Sequence, residues 1–210
     1  MTKITEMRFW EKNRRWGNEE GDSVRNIFMF MVCMIVSIKV YPGALSFGPA
    51  VGVERINNLF NVDLGAIKGL YRFDNGVTVG GVAMFGDISF QDVPGEARYE
   101  AIIGYTTVPS GSNFAPYAFV SKGARAYYSS RSNVLYHTVT VGTRYILTPK
   151  TYLDTSYRHR NTNDINWESN LYSLGIGYNI SDKFTVQITV GNTRGDYHSS
   201  QVMLSLVSRL

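Results

Sequence analysis

His198 and Ser200 lie two residues apart, a spacing that on a strand puts a base and a hydroxyl on one face. A hydrolase built on them needs the imidazole as base, the hydroxyl as nucleophile and a carboxylate to hold the ring. No Asp or Glu follows Ser200, so the third member is missing from this stretch. Asp92, Asp164, Glu168 and Asp196 fall in polar connecting stretches where acids could activate water, but no histidine pairs with them at a diagnostic spacing. His137, His159 and His198 are too scattered for a metal site, and no phosphate-cradling glycine loop precedes a helical pattern. The expectation is no enzyme, no metal and no cofactor.

A second set of residues recurs with a different logic. Lys68, Arg72, Arg98, Glu100, Lys122, Arg144, Asp154 and Arg158 each stand in the middle of an alternating segment, among glycines and hydroxyls rather than apolar residues. Charges placed this way would line a narrow wet lumen. The elements that position them are therefore the larger question.

The chain has 210 residues, with 20 glycines and 14 tyrosines set among Val, Ile, Thr and Phe, a composition that favours strands over helices in one all-β domain. Alternating segments recur near 48–56, 61–73, 77–89, 96–108, 115–127, 135–147, 151–161, 169–180, 184–194 and 201–210, with a spacing that suits tilted membrane strands. Asp74-Asn75-Gly76, Thr148-Pro149-Lys150 and Ser181-Asp182-Lys183 are tight-turn sequences, with Pro109 to Phe114 a longer member of the set. They alternate with longer polar stretches at 90–95, 128–134, 162–168 and 195–200. Short turns on one rim and longer loops on the other mark an outer-membrane barrel, and termini on one rim require an even strand number. The expectation is a closed antiparallel up-and-down transmembrane β-barrel of about ten strands, with eight as the alternative.

Face patterning supports closure. In the ninth segment Phe184, Val186, Ile188 and Val190 oppose Thr185, Gln187, Thr189 and Gly191; in the eighth, Tyr172, Leu174, Ile176 and Tyr178 oppose Ser173, Gly175 and Gly177. A soluble lipocalin-like carrier would show the same period with its apolar face inside. Two features favour the membrane reading: the charges on the polar face, and tyrosines near segment ends (Tyr71, Tyr99, Tyr105, Tyr145, Tyr157, Tyr178), which suit interfacial girdles.

Ile27 to Ile38 is an apolar run within signal-peptide range and too short to span a bilayer. Ala44-Leu45-Ser46 then offers small residues at the two positions a signal peptidase reads, which predicts cleavage after Ser46 and a mature barrel domain over 47–210. Residues 1–46 comprise an N-terminal extension and the signal peptide. The polar stretch 1–23 is long for such a leader, and initiation at Val24 would give one of ordinary length. Cys33 lies in the removed segment, without the small residues before it that a lipid acceptor needs. From Phe47 onward the chain carries 14 Lys and Arg against 12 Asp and Glu, a net +2 with no basic run interleaved with stacking aromatics, so nucleic acid is not an expected partner.

At Leu174 to Val186 (LGIGYNISDKFTV) the chain resembles the penultimate hairpin of small outer-membrane barrels of the OmpA-like and opacity type, where a Gly-x-Gly-Tyr strand ends in a short polar turn. Gln201 to Leu210 is similar to the C-terminal strand that such barrels present to their assembly machinery, with Leu210 in place of the usual final aromatic. The resemblance implies an outer-membrane location in a Gram-negative cell envelope, with lipopolysaccharide and the assembly machinery as partners. His198-x-Ser200 also resembles the catalytic pair of outer-membrane lipid A deacylases, but Gln201 stands where that family carries an Asn. The functional expectation is a non-enzymatic, porin-like barrel with a structural or loop-mediated role and a narrow, weakly anion-preferring path. The alternatives are a lipid-modifying or proteolytic barrel, or the soluble carrier.

Overall fold

The computed structural model describes residues 43–58, 60–87, 96–107, 113–127, 133–162 and 167–210. The expected export segment, Cys33, Asp92 and Asp164 lie outside them. The strands are β1 (Gly43–Ile56), β2 (Phe60–Phe73), β3 (Val77–Asp87), β4 (Glu96–Thr106), β5 (Phe114–Tyr127), β6 (Asn133–Ile146), β7 (Thr151–Thr162), β8 (Glu168–Asn179), β9 (Phe184–Gly195) and β10 (Ser199–Arg209). Each pairs antiparallel with its sequence neighbours, and β1 meets β10, so the sheet closes into an up-and-down barrel of ten strands rather than eight.

Strands stop where turn chemistry begins. Asn57 and Asn58 take left-handed φ values of 49° and 57°, which asparagine tolerates better than most side-chain-bearing residues, and Gly76 sits at 89°. Thr148 and Ser181 each accept backbone N–H bonds on their side-chain oxygens, Thr148 from Lys150 and Thr151, Ser181 from Lys183 and Phe184. Strand ends otherwise fall within two residues of the sequence reading, with one exception. β1 starts at Gly43 rather than near 48, because Ala44, Leu45 and Ser46 stay in register with Arg72, Tyr71 and Leu70. Leu45 also exchanges backbone bonds with Leu210, at 3.2 and 2.8 Å. The expected processing point after Ser46 therefore falls inside this strand.

Register assigns every side chain to a face. Ile176, Ile188, Leu204 and Val51 stand in one row across β8, β9, β10 and β1, all exposed on the outside. Tyr105, Tyr145 and Tyr178 face outward near the rim where β1 begins and β10 ends. The interior is not uniform. On β1, β2, β3 and β10 the inner wall is small and apolar, with Val62, Leu64, Ala66 and Met203 buried together against Ala50, Ile56 and Met84. The inner faces of β4 to β7 carry most of the charges, with Glu54, Lys68, Arg72 and Arg209 added from β1, β2 and β10.

The seam between β1 and β10 is less regular than the other ladders. Pairing runs through Ser46 and Phe47, passes over Gly48 and Pro49, and resumes at Ala50. Alternating residues bond to alternate sides of an antiparallel strand, and Leu45 bonds to β10, so Pro49 faces β10 as well. Proline has no N–H to give there. At the opposite rim the seam is pinned again: Asn57 N donates to His198 O at 2.7 Å, and His198 N donates to Asn57 Oδ1 at 3.0 Å.

Candidate functional site

Parity along each strand directs Glu54, Lys68, Arg72, Glu96, Arg98, Glu100, Arg125, Arg144, Asp154, Arg158, Arg160 and Arg209 into the barrel, which among the described residues sets eight cations against four carboxylates. All four carboxylates are bonded. Glu54 accepts from Arg98 Nη2 at 3.3 Å and from Ser199 Oγ at 2.6 Å. Glu96 pairs with both Arg98 and Arg125. Glu100 pairs with Arg158 and accepts from Tyr136 Oη at 2.9 Å and Ser121 Oγ at 3.2 Å. Asp154 takes Arg144 Nη2 at 3.1 Å, Arg144 Nε at 3.3 Å and Tyr117 Oη at 2.7 Å. Buried carboxylates persist when paired and fully hydrogen-bonded, and each of these has at least two donors.

Aromatic rings brace this network, and glycines make room for them. Gly123, Gly142 and Gly177 face inward directly opposite Tyr136, Tyr117 and Tyr152 on the neighbouring strands. The rings lie over the space a Cβ would take; at Gly123 it would sit 2.6 Å from Tyr136 Cζ. Each hydroxyl then reaches a lumenal acceptor, Glu100 for Tyr136, Asp154 for Tyr117 and Gln187 for Tyr152. Arg144 and Arg160 stack over the Tyr152 and Tyr136 rings at 4.1 and 4.7 Å.

The structure brings together Arg98, Glu100, Arg144, Asp154 and Arg158 of the sequence-derived set, with Lys68 on the same inner wall opposite Val82 and Arg72 closer to the terminal rim. Lys122 is a correction. It pairs in register with Ala101 and His137 on the outside of the barrel and is exposed there, while Ser121 and Gly123 take the inward positions. The strand misleads because its inner face carries Tyr117 and Phe119, whereas the polar residue Lys122 shares the outer face with Val120 and Ala124. Glu54, Glu96, Arg125 and Arg160 complete the network but were absent from that set. They stand toward strand ends, and only register shows that Glu54 of β1 meets Arg98 of β4.

The candidate catalytic pair is not assembled. Ser200 projects outward and accepts from Asn192 Nδ2 at 3.3 Å, and His198 is exposed in the β9–β10 turn. Among the described residues no group of three or more His, Cys, Asp or Glu is placed to hold a metal ion.

No family model matches the chain, and no curated protein does so either. Solved structures do match. An outer membrane channel from Pseudomonas putida F1 aligns with 12% identity over 81% of this chain and 96% of that one, at a TM-score of 0.52. The NanC porin aligns with 10% identity over 76% of this chain and 98% of that one, at a TM-score of 0.50. At such identities the likeness speaks for architecture: this chain has the closed antiparallel barrel fold of bacterial outer-membrane channels.

Proposed function

We propose that this chain is a non-enzymatic outer-membrane barrel with a narrow, weakly anion-preferring lumen. The observation that carries the reading is the contrast between its two surfaces, an apolar belt outside and a cationic excess inside whose carboxylates are all already bonded. A fixed positive lining lowers the barrier for anions, while side chains nearly fill a barrel of this size and keep the path small. A cleaved signal peptide delivers the chain, the assembly machinery reads β10, and lipopolysaccharide surrounds the outer belt. The rim holding both termini and the tight turns faces the periplasm.

Reconstitution of the purified protein in planar bilayers tests this. Small conductance steps with a reversal potential displaced toward the anion are expected in a salt gradient. Large cation-selective steps would overturn the lumenal assignment, and turnover of lipopolysaccharide or peptides would overturn the non-enzymatic one.

A further inference from the structure

Toward the rim opposite the termini, a cavity of about 70 Å³ is lined by Glu54, Val82, Arg98, Glu100, Arg158 and Arg160, with Tyr197 of the β9–β10 turn at its edge. Its charges do not cancel. Among its lining residues three guanidinium groups meet two carboxylates, an excess of one cation. The least matched group is Arg160: among the described residues it makes no ion pair within 4.0 Å, and its contacts are the Tyr136 ring and a long one of 3.5 Å to Tyr197 Oη. The Nε–H groups of Arg98, Arg158 and Arg160 are all buried without an acceptor. A cation without an ion pair and a buried donor without an acceptor are each costly, and the side chains that carry them line the same cavity.

We infer that this cavity binds one small inorganic anion, held by Arg160 together with Arg98 and Arg158. Its charge matches the excess of one. The space is ample for a halide with its water or for a small oxyanion. The inference rests on the inward placement of the arginines that also underlies the proposed pore. It needs no open path, so a barrel that does not conduct can still bind the ion.

The test compares urea midpoints of the folded barrel in detergent at constant ionic strength, with sodium chloride replaced by sodium gluconate, whose anion is far larger than chloride. At chloride ten times above its dissociation constant the folded-to-unfolded ratio rises about elevenfold, so the midpoint is higher in chloride. Arg160→Gln loses this dependence. Arg209→Gln keeps it, because Arg209 lies at the terminal rim, bonded to Asn179 at 3.3 Å. No chloride response in the wild type, or an equal one in Arg160→Gln, overturns the site. If Arg160→Gln fails to fold, wild-type crystals grown in sodium bromide decide the matter: an anomalous peak among Arg98, Arg158 and Arg160 supports it, and its absence there refutes it. Chloride-dependent stability without conductance would remove the pore and leave the site standing.

Discussion

Replacing Ile188 by Arg puts a charge into the apolar row formed with Ile176 and Leu204. Ile188 is 47% exposed, with its two neighbours at 49% and 47%, so nearly half of each side chain meets whatever surrounds the barrel. If that surround is hydrocarbon, a guanidinium near the midplane costs about 2–4 kcal/mol. That corresponds to a folded-to-unfolded ratio reduced roughly 30- to 1,000-fold, since about 1.4 kcal/mol is a factor of ten. With a urea dependence near 2 kcal/mol per molar, the midpoint in lipid vesicles falls by about 1–2 M. The control is Gln187→Arg, one residue away on the inner face, where Gln187 accepts from Tyr152 Oη at 3.2 Å. Losing that bond costs about 1 kcal/mol, and the new charge stays in the polar lumen. Heat-modifiable gel migration after folding into vesicles reads both variants. Equal midpoints for the two would refute the assignment of faces, and with it the membrane reading.

Gly142→Ala should destabilise by about 1–3 kcal/mol, because its Cβ would collide with the Tyr117 ring and lie 2.6 Å from the Thr155 carbonyl, whereas Gly65→Ala, with open space around it, should be neutral; urea midpoints compare them. Glu100→Ala should raise anion preference in bilayers and lower stability, since it leaves Arg158 and the Tyr136 hydroxyl without their carboxylate; an unchanged reversal potential would place Glu100 away from the conducting path. Intact-mass measurement of protein from the membrane fraction should give a chain beginning at Phe47 without cysteine. A mass that retains Gly43 to Ser46 would instead preserve the whole of β1.

The strands were legible because a barrel wall with an apolar outside and a polar interior must alternate, and residues such as Phe184 to Val190 do so without interruption. The start of β1 was obscured because Ala44-Leu45-Ser46 satisfies two readings at once, small residues before a cleavage point and small residues on an inner wall. Lys122 shows the limit of polarity as a guide: β5 hides two aromatics inside and leaves a lysine outside, opposite His137. The ion pairs themselves were out of reach. Arg98 meets Glu54 across 44 residues of sequence, and Glu100 meets Arg158 across 58, distances set by strand order and stagger rather than by any local pattern.

The β1–β10 seam joins the ends of the described barrel, so its contacts span the greatest length of chain and carry the heaviest loop-closure penalty. It forms after the hairpins that precede it. Pro49 withholds a donor from β10 along that line, so closure is weakest there, between the Phe47 pair and the unbroken ladder from Ala50 to Ile56. The wall therefore behaves like a cuff with one stitch missing. Brief native-state openings begin beside Pro49, where amide hydrogen exchange on β10 near Leu206 should be fastest among the strand interiors, and any sideways parting of the barrel wall starts there.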